Sequence, residues 1–418
     1  MPDKTTEYDI IIAGGGPAGL SAAAELSKNF KVLLIEKNKL GMTMASWYSY
    51  EDRVKAHGLE DAVAFRSDYL HFVAPSLEHK MKDDVVVLDH DKTLQIWIDR
   101  AKENGTEFVQ AEFLDYQRKR QDFVVVKTTA GNYSAKLLID ACGAPSPIIK
   151  KKKKLIKRVD AWVIYGAKIR VKNNTRPVQI EYYPLNDDEN TYIGIHPFDE
   201  ETLNFYVFIG KNGTFGDAAT LKHRFERTLA ATYPDAEIIA PLQGSIPSGI
   251  LKKYALDNVI FWGASGMLNP DGCGMGFNEI LRQLNSFTAG ITRTFNANRF
   301  DQRALQRVAR GLYDQETTHF QRIIGAFSLY FIKSEGKWDG GVKWLNAMGP
   351  LSKYWMRNEM SLVWIRDATI RLHGAVPFKE TIKMVPFNEL FFITEQLIRF
   401  SISVVVVGTL RFFGLMKK

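Results

Sequence analysis

The sequence predicts an α/β fold with an inserted antiparallel β-sheet and a mostly helical C-terminal region. Three features carry this: a strand–turn–helix–strand unit at residues 9–36, sheet-like runs between about residues 160 and 210, and helical apolar spacing from about residue 300. The opening unit reads Asp9-Ile-Ile-Ile-Ala-Gly14-Gly-Gly16-Pro17-Ala18-Gly19-Leu, then Ser21-Ala-Ala-Ala-Glu25-Leu, then Lys31-Val-Leu-Leu-Ile-Glu36. An apolar strand feeds a Gly-x-Gly-x-x-Gly turn, the turn opens an Ala-rich helix, and the next strand ends in an acid. Gly14 permits the tight turn, Gly16 lets the backbone approach a pyrophosphate, and Gly19 lets helix and strand pack closely. The helix N-terminus, beginning at Pro17 and Ala18, offers free N–H groups to that anion. Glu36 is placed to hold ribose hydroxyls, with Lys37 beside it. This is a Rossmann-type dinucleotide site, and by itself it does not separate NAD from FAD.

The separation comes near residue 263. Asp257-Asn-Val-Ile260-Phe-Trp262 reads as a short strand, followed by Gly263-Ala-Ser-Gly266-Met267-Leu-Asn-Pro270-Asp-Gly272-Cys-Gly274-Met275-Gly276-Phe-Asn278 and a helical pattern through Leu281, Leu284 and Phe287. A second glycine turn running into a helix N-terminus suits the electron-rich pyrimidine end of an isoalloxazine, and NAD has no need of it. FAD is therefore the expected cofactor, with Gly263, Gly274, Met275, Gly276 and Asn278 against it.

These two turns resemble those of the FAD superfamily that holds aromatic hydroxylases, geranylgeranyl reductases and lycopene cyclases. Within it the chain is most similar to the lycopene cyclases, on Gly263-Ala-Ser-Gly266-Met267-Leu-Asn-Pro270, Gly244-Ser-Ile-Pro247, the segment Trp47–Leu59 and the strand Tyr192–Phe198. The same strand can be laid on the Tyr-x-Trp-x-Phe-Pro box of geranylgeranyl reductases, with Gly194 in place of Trp and His196 in place of Phe. The resemblance implies that Leu138-Ile-Asp140-Ala-Cys-Gly143 forms a turn near the adenine side of FAD. It also implies a catalytic acid in the string Phe198-Asp199-Glu200-Glu201-Thr202, where Glu200 and Glu201 are the candidates. The residue pattern offers a competing reading, because β-like runs at 192–198 and 203–209 leave Asp199–Thr202 for a hairpin turn, where carboxylates usually face water.

Between the turns, Val85–Leu88, Phe108–Phe113, Phe123–Thr128 and Leu137–Asp140 are expected to complete the nucleotide domain, with a helix over Thr93–Asn104. Runs at 162–171, 178–183, 192–198 and 203–209 are expected to build an antiparallel substrate sheet. Its aromatics Trp162, Tyr165, Tyr183, Tyr192 and Phe205 suit a long apolar substrate or ordinary sheet packing equally. The resulting division is a nucleotide domain at 1–150 and 251–297, a substrate sheet at 151–250 and a helical region at 298–418.

Two cysteines, Cys142 and Cys273, suit neither a disulfide framework nor a zinc site, which points to a reducing compartment. The polar start, Met1–Tyr8, holds no signal peptide, so a cytoplasmic protein is expected. The formal charge of +8 is densest at Lys150–Lys154 with Lys157 and Arg158, a solvated loop or a contact for an anionic membrane or a phosphorylated prenyl head group. Nucleic acid is excluded as a partner, since no recognition motif or aromatic–basic interleaving accompanies the patch.

From about residue 300 apolar residues recur at helical spacing, as in Phe320, Ile323, Ile324 and Phe327. The uncharged stretch Phe400–Leu410 would span roughly 16 Å as a helix, about half a hydrocarbon core. It reads as an interfacial anchor or a buried C-terminal helix rather than a full crossing. No second Gly-x-Gly-x-x-Gly is present, so NAD(P)H or an electron-carrier protein would dock transiently. The expected function is an FAD-dependent oxidoreductase acting on a hydrophobic isoprenoid or polyene by double-bond reduction, the alternatives being non-redox cyclisation of a carotenoid and flavin-dependent monooxygenation.

Overall fold

The structure is a computed structural model that describes residues 7–42, 47–120, 123–172, 174, 176, 179–185, 191–313, 318–332, 337–375 and 387–412. Its strands in chain order are β1 (Glu7–Ala13), β2 (Val32–Glu36), β3 (Tyr48–Tyr50), β4 (Val63–Val73), β5 (Glu78–Leu88), β6 (Glu107–Gln110), β7 (Phe113–Arg120) and β8 (Phe123–Thr128). They continue as β9 (Gly131–Asp140), β10 (Ile156–Arg170), β11 (Glu181–Leu185), β12 (Thr191–Pro197), β13 (Thr202–Asn212), β14 (Glu237–Leu251), β15 (Ala255–Leu256) and β16 (Val259–Phe261).

The first sheet runs β15-β16-β9-β1-β2-β6, and β7 and β8 extend β9 as an antiparallel meander. From β16 to β6 the neighbours are parallel. Parallel strands covered on both faces need apolar residues at successive positions, and Ile10, Ile11, Ile12, Leu33, Leu34, Leu137, Leu138 and Ile139 are all fully buried. Helices Pro17–Leu26, His90–Glu103 and Gly276–Asn296 pack with this sheet in one core. The helix Gln302–Tyr313 joins the same core through Leu305, Ala309 and Leu312, although the sequence groups it with the C-terminal region.

The second sheet runs β14-β10-β13-β12-β11-β4-β5-β3, antiparallel throughout except for the β11–β4 pair. It corrects the expectation for Val85–Leu88. These residues close β5, pair with Tyr48–Tyr50 and with β4, and so belong to the second sheet rather than the nucleotide sheet.

One face of β10, β12 and β13 is covered by the helix Lys222–Thr232, in a core that includes Val163, Ile195, Phe205 and Phe225. Tyr165 and Tyr183 lie on this same side, so of the aromatics expected to face a substrate, Tyr165, Tyr183 and Phe205 point the other way. The opposite face meets the helices Thr318–Ile332, Lys337–Met348 and Leu362–Ala375. The helix Phe387–Phe412, which contains the apolar stretch 400–410, packs on Thr318–Ile332 and is tied to β10 by Lys157–Glu395 at 2.5 Å and Arg158–Glu389 at 2.6 Å. Among the described residues no helix is long and apolar enough to cross a membrane.

Candidate active site

The first glycine turn has the shape its spacing predicts. Gly14 adopts φ +109°, and a Cβ there would lie 2.3 Å from the Ala141 carbonyl oxygen. A Cβ on Gly19 would lie 1.8 Å from the Gly14 oxygen, so neither position accepts a side chain without movement. Gly16 is different, because a Cβ built there meets no atom within 4 Å. It caps the helix Pro17–Leu26 without a side-chain hydrogen bond, and no acid sits in the first turn, leaving N–H groups facing open space. The Glu36 carboxylate ends β2 and accepts from the Gly15 N–H at 2.7 Å and the Asn38 N–H at 2.8 Å. Lys37 beside it is exposed. Gly143, at φ +77°, turns the chain after β9, again with open space where a Cβ would be.

The second turn lies directly against the first. The Trp262 indole donates to the Ala18 carbonyl at 2.9 Å, and a Cβ on Gly263 would lie 2.5 Å from the Ala18 Cβ. Pro17 and residues Gly263, Gly274, Met275, Gly276 and Asn278 line a single cavity of about 400 Å³, within the range of roughly 300–1,000 Å³ usual for small-molecule sites. The Asn278 amide is committed within the protein, accepting from Ser49 Oγ at 2.7 Å and donating to the Tyr48 carbonyl at 3.0 Å. It anchors β3 to the helix Gly276–Asn296. Asn269, which sequence reasoning passed over, is the opposite case. It lines the cavity, is buried, and both its amide atoms lack a partner. Helix N-termini without side-chain caps, space over Gly16 and an orphaned amide in the second turn fit a polar dinucleotide.

Beyond the turns the cavity runs between the second sheet and the C-terminal helices. Trp162, Ile164, Phe72 and Phe208 form the sheet wall, and Val342, Leu345, Met348, Met356 and Leu372 the helical wall. Trp47 stacks on Phe277 at 4.8 Å where the cavity meets the nucleotide core. Among the polar residues on the sheet wall is His196, whose Nε2 lies 2.8 Å from both Tyr182 Oη and Tyr206 Oη. Burial holds its pKa down at about 3, so the imidazole is neutral at ordinary pH. The only signal in the sequence was a departure from the reductase box at Gly194 and His196. Cys273 also lines the cavity, and burial pushes its thiol well above the usual range.

Glu200 and Glu201 sit elsewhere. Asp199–Thr202 is a tight turn between β12 and β13, closed by the Phe198 N–H on the Thr202 carbonyl at 2.8 Å, and the Asp199 carboxylate accepts from the Glu201 and Thr202 N–H groups. Both glutamates are exposed, and neither is among the cavity-lining residues. The hairpin geometry that the flanking strands predict takes precedence over the string's resemblance to a catalytic motif. Glu200→Gln and Glu201→Gln are accordingly expected to leave FAD content and turnover within about twofold of wild type; a large loss of turnover in either, at full FAD loading, would restore the acid to the mechanism.

Fold and site together define a flavoprotein-type dinucleotide fold with a largely apolar cavity beside its second glycine turn. The chain belongs to the lycopene cyclase protein family, whose model matches residues 9–337. It is 26% identical over 240 residues to capsanthin/capsorubin synthase of Capsicum annuum, covering 52% of this chain and 45% of that protein. It is 23% identical over 208 residues to neoxanthin synthase of Solanum lycopersicum, covering 46% and 38%. The match thus spans less than half the length of these curated relatives. Among solved structures, a geranylgeranyl bacteriochlorophyll reductase-like protein from Thermoplasma acidophilum superposes with TM-score 0.68 at 14% identity over 91% of this chain and 99% of that one. The flavin-dependent halogenase CmlS superposes with TM-score 0.61 at 14% identity over 88% and 78%. At these identities the likeness is one of fold.

Proposed function

We propose that the chain acts on a carbon–carbon double bond of a long apolar isoprenoid or polyene, and that the reaction is reduction. The observation that carries this reading is the cavity: aromatic and aliphatic on both walls, continuous with the second glycine turn, and lined by no carboxylate among the described residues. FAD held along the two turns would, when reduced, supply a hydride to one alkene carbon, and the balancing proton would come to the other from a side chain or a water molecule. The chain's own residues do the rest. Gly16 and the helix Pro17–Leu26 would hold the pyrophosphate, and the stacked Trp47 and Phe277 and the Met-rich helical wall would keep bulk water from the reacting carbons. Trp162, Phe72 and Phe208 orient the chain by its faces. NAD(P)H or a carrier protein, docking transiently, is the proposed source of electrons.

Ring closure without net electron transfer is the second reading, favoured by membership of the lycopene cyclase family. It needs an acid strong enough to protonate an alkene, and among the described residues the cavity wall supplies none of the carboxylates expected for that step. Incubating the FAD-loaded protein, chemically reduced, with a linear carotenoid or a prenylated lipid separates the readings by product mass. A gain of two hydrogens per step supports reduction, an unchanged mass with new rings supports cyclisation, and an added oxygen supports monooxygenation.

We also propose that the protein works at a membrane surface, supported by the outward face of the helix Phe387–Phe412. Phe391, Ile398, Ile402 and Val405 fall on one helical stripe and are 67%, 56%, 59% and 66% exposed. The paired changes Ile398→Asp and Ile402→Asp should leave the melting temperature unchanged and abolish co-sedimentation with anionic vesicles. Retention on the vesicles would remove this stripe as the contact.

A further inference from the structure

Strand register assembles the polar group on the cavity wall. Tyr182 on β11, Gly194 on β12 and Tyr206 on β13 are direct neighbours across the ladder. His196 lies two residues beyond Gly194 and so on the same face. Both phenols reach across to His196 Nε2 at 2.8 Å. Gly194 makes this possible, since a Cβ there would lie 2.3 Å from Tyr206 Cζ. The two departures from the reductase box are therefore one device: a small residue opens the space through which Tyr206 meets the histidine. The two hydroxyls and the neutral imidazole form a connected group that faces the cavity. Hydroxyl protons rotate, and such a cluster can present either a donor or an acceptor to a further group.

Trp355 in the C-terminal layer also lines the cavity, and its Nε1–H is buried without a partner. An apolar ligand has no use for any of these groups. A hydrocarbon end seated against them would leave the remaining hydrogen-bonding capacity of two hydroxyls unmet and would leave the indole N–H unpaired. A site built to hydrogen-bond an oxygen rejects the analogue that lacks it far more strongly than an apolar pocket separates two hydrocarbons.

On the reading of this cavity as an isoprenoid site, we infer that Tyr182, Tyr206 and His196 form a subsite for one oxygen function, a hydroxyl or a carbonyl, on the end group of the substrate. The substrate is then an oxygenated isoprenoid rather than a pure hydrocarbon. The test uses the FAD-loaded full chain in detergent, titrated with a cyclic-ended polyene hydrocarbon and with its ring-hydroxylated counterpart. Binding is followed by tryptophan quenching and by the shift of the flavin spectrum. The hydroxylated ligand should bind at least about tenfold more tightly. Tyr182→Phe combined with Tyr206→Phe keeps both rings, and should bring the two affinities within about twofold by weakening the hydroxylated ligand alone. Gly194→Ala, which displaces the Tyr206 ring, should erode the preference by a separate route. FAD content and melting temperature establish that each variant is folded. Equal affinities in the wild type, or a preference that survives in the double variant, overturn the subsite while leaving the isoprenoid reading in place. Failure of the loaded protein to bind either ligand overturns both.

Discussion

Gly16→Val yields a folded protein without colour. Gly16 has φ −78° and ψ −175°, an extended conformation open to any residue, and the space over its Cα is empty of protein atoms to 4 Å. A valine there disturbs no packing, and the stability of the cofactor-free protein should fall by no more than the cost of a poorer helix cap, about 1 kcal/mol. The branched side chain nonetheless stands over the N-terminus of the helix Pro17–Leu26, where the pyrophosphate must approach, and FAD affinity should fall by at least about 100-fold. Changes at Gly14 or Gly19 remove cofactor and fold together, because each Cβ would collide with backbone. Visible flavin absorbance per protein and a thermal melt on the stripped protein separate these outcomes. A fully loaded yellow Gly16→Val protein would sink the assignment of this turn to the pyrophosphate.

Arg357→Ala should cost about 3–5 kcal/mol of stability. Its guanidinium forks onto Asp83 at 2.6 and 2.8 Å, reaches Asp52 at 3.0 Å and lies 4.2 Å over the Tyr50 ring. Burial opposes the charge, but the Asp83 and Asp52 carboxylates outweigh it and hold the pKa above that of free arginine. The Asp83 side chain is 5% exposed, so truncating its partner strands a carboxylate in the protein interior. Arg357→Lys keeps the charge but loses the two-pronged geometry, and should fall between wild type and alanine. A denaturant titration measures the series. Should the alanine variant lose less than about 1 kcal/mol, the ion pair is not what fastens the C-terminal layer to β5.

What could be read from the sequence follows the range of the interactions involved. The glycine turns were legible because the requirement at each glycine is set by its own φ or by a few backbone atoms close by. The second-sheet membership of Val85–Leu88 was not, because an apolar run fits either sheet and only pairing with Tyr48–Tyr50 decides between them. Tyr165, Tyr183 and Phe205 were legible as strand residues but not as outward-facing ones. Alternation fixes which residues share a face, while the choice of the face that meets the cavity depends on where the helix Lys222–Thr232 docks. The Tyr182–His196–Tyr206 group needed the register of three strands at once, information that no single segment contains.

The strand order of the first sheet also sets a schedule. β16 pairs with β9 at Val259–Phe261, and Trp262 and Gly263 then close onto Ala18, more than 240 residues earlier in the chain. Strands β1, β2, β6 and β9 alone therefore make one half of the nucleotide cleft, with the flank of β9 still open and the Ala18 carbonyl without its indole. Such long-range closure is slow, and the cleft is complete only once the segment Val259–Gly263 has docked.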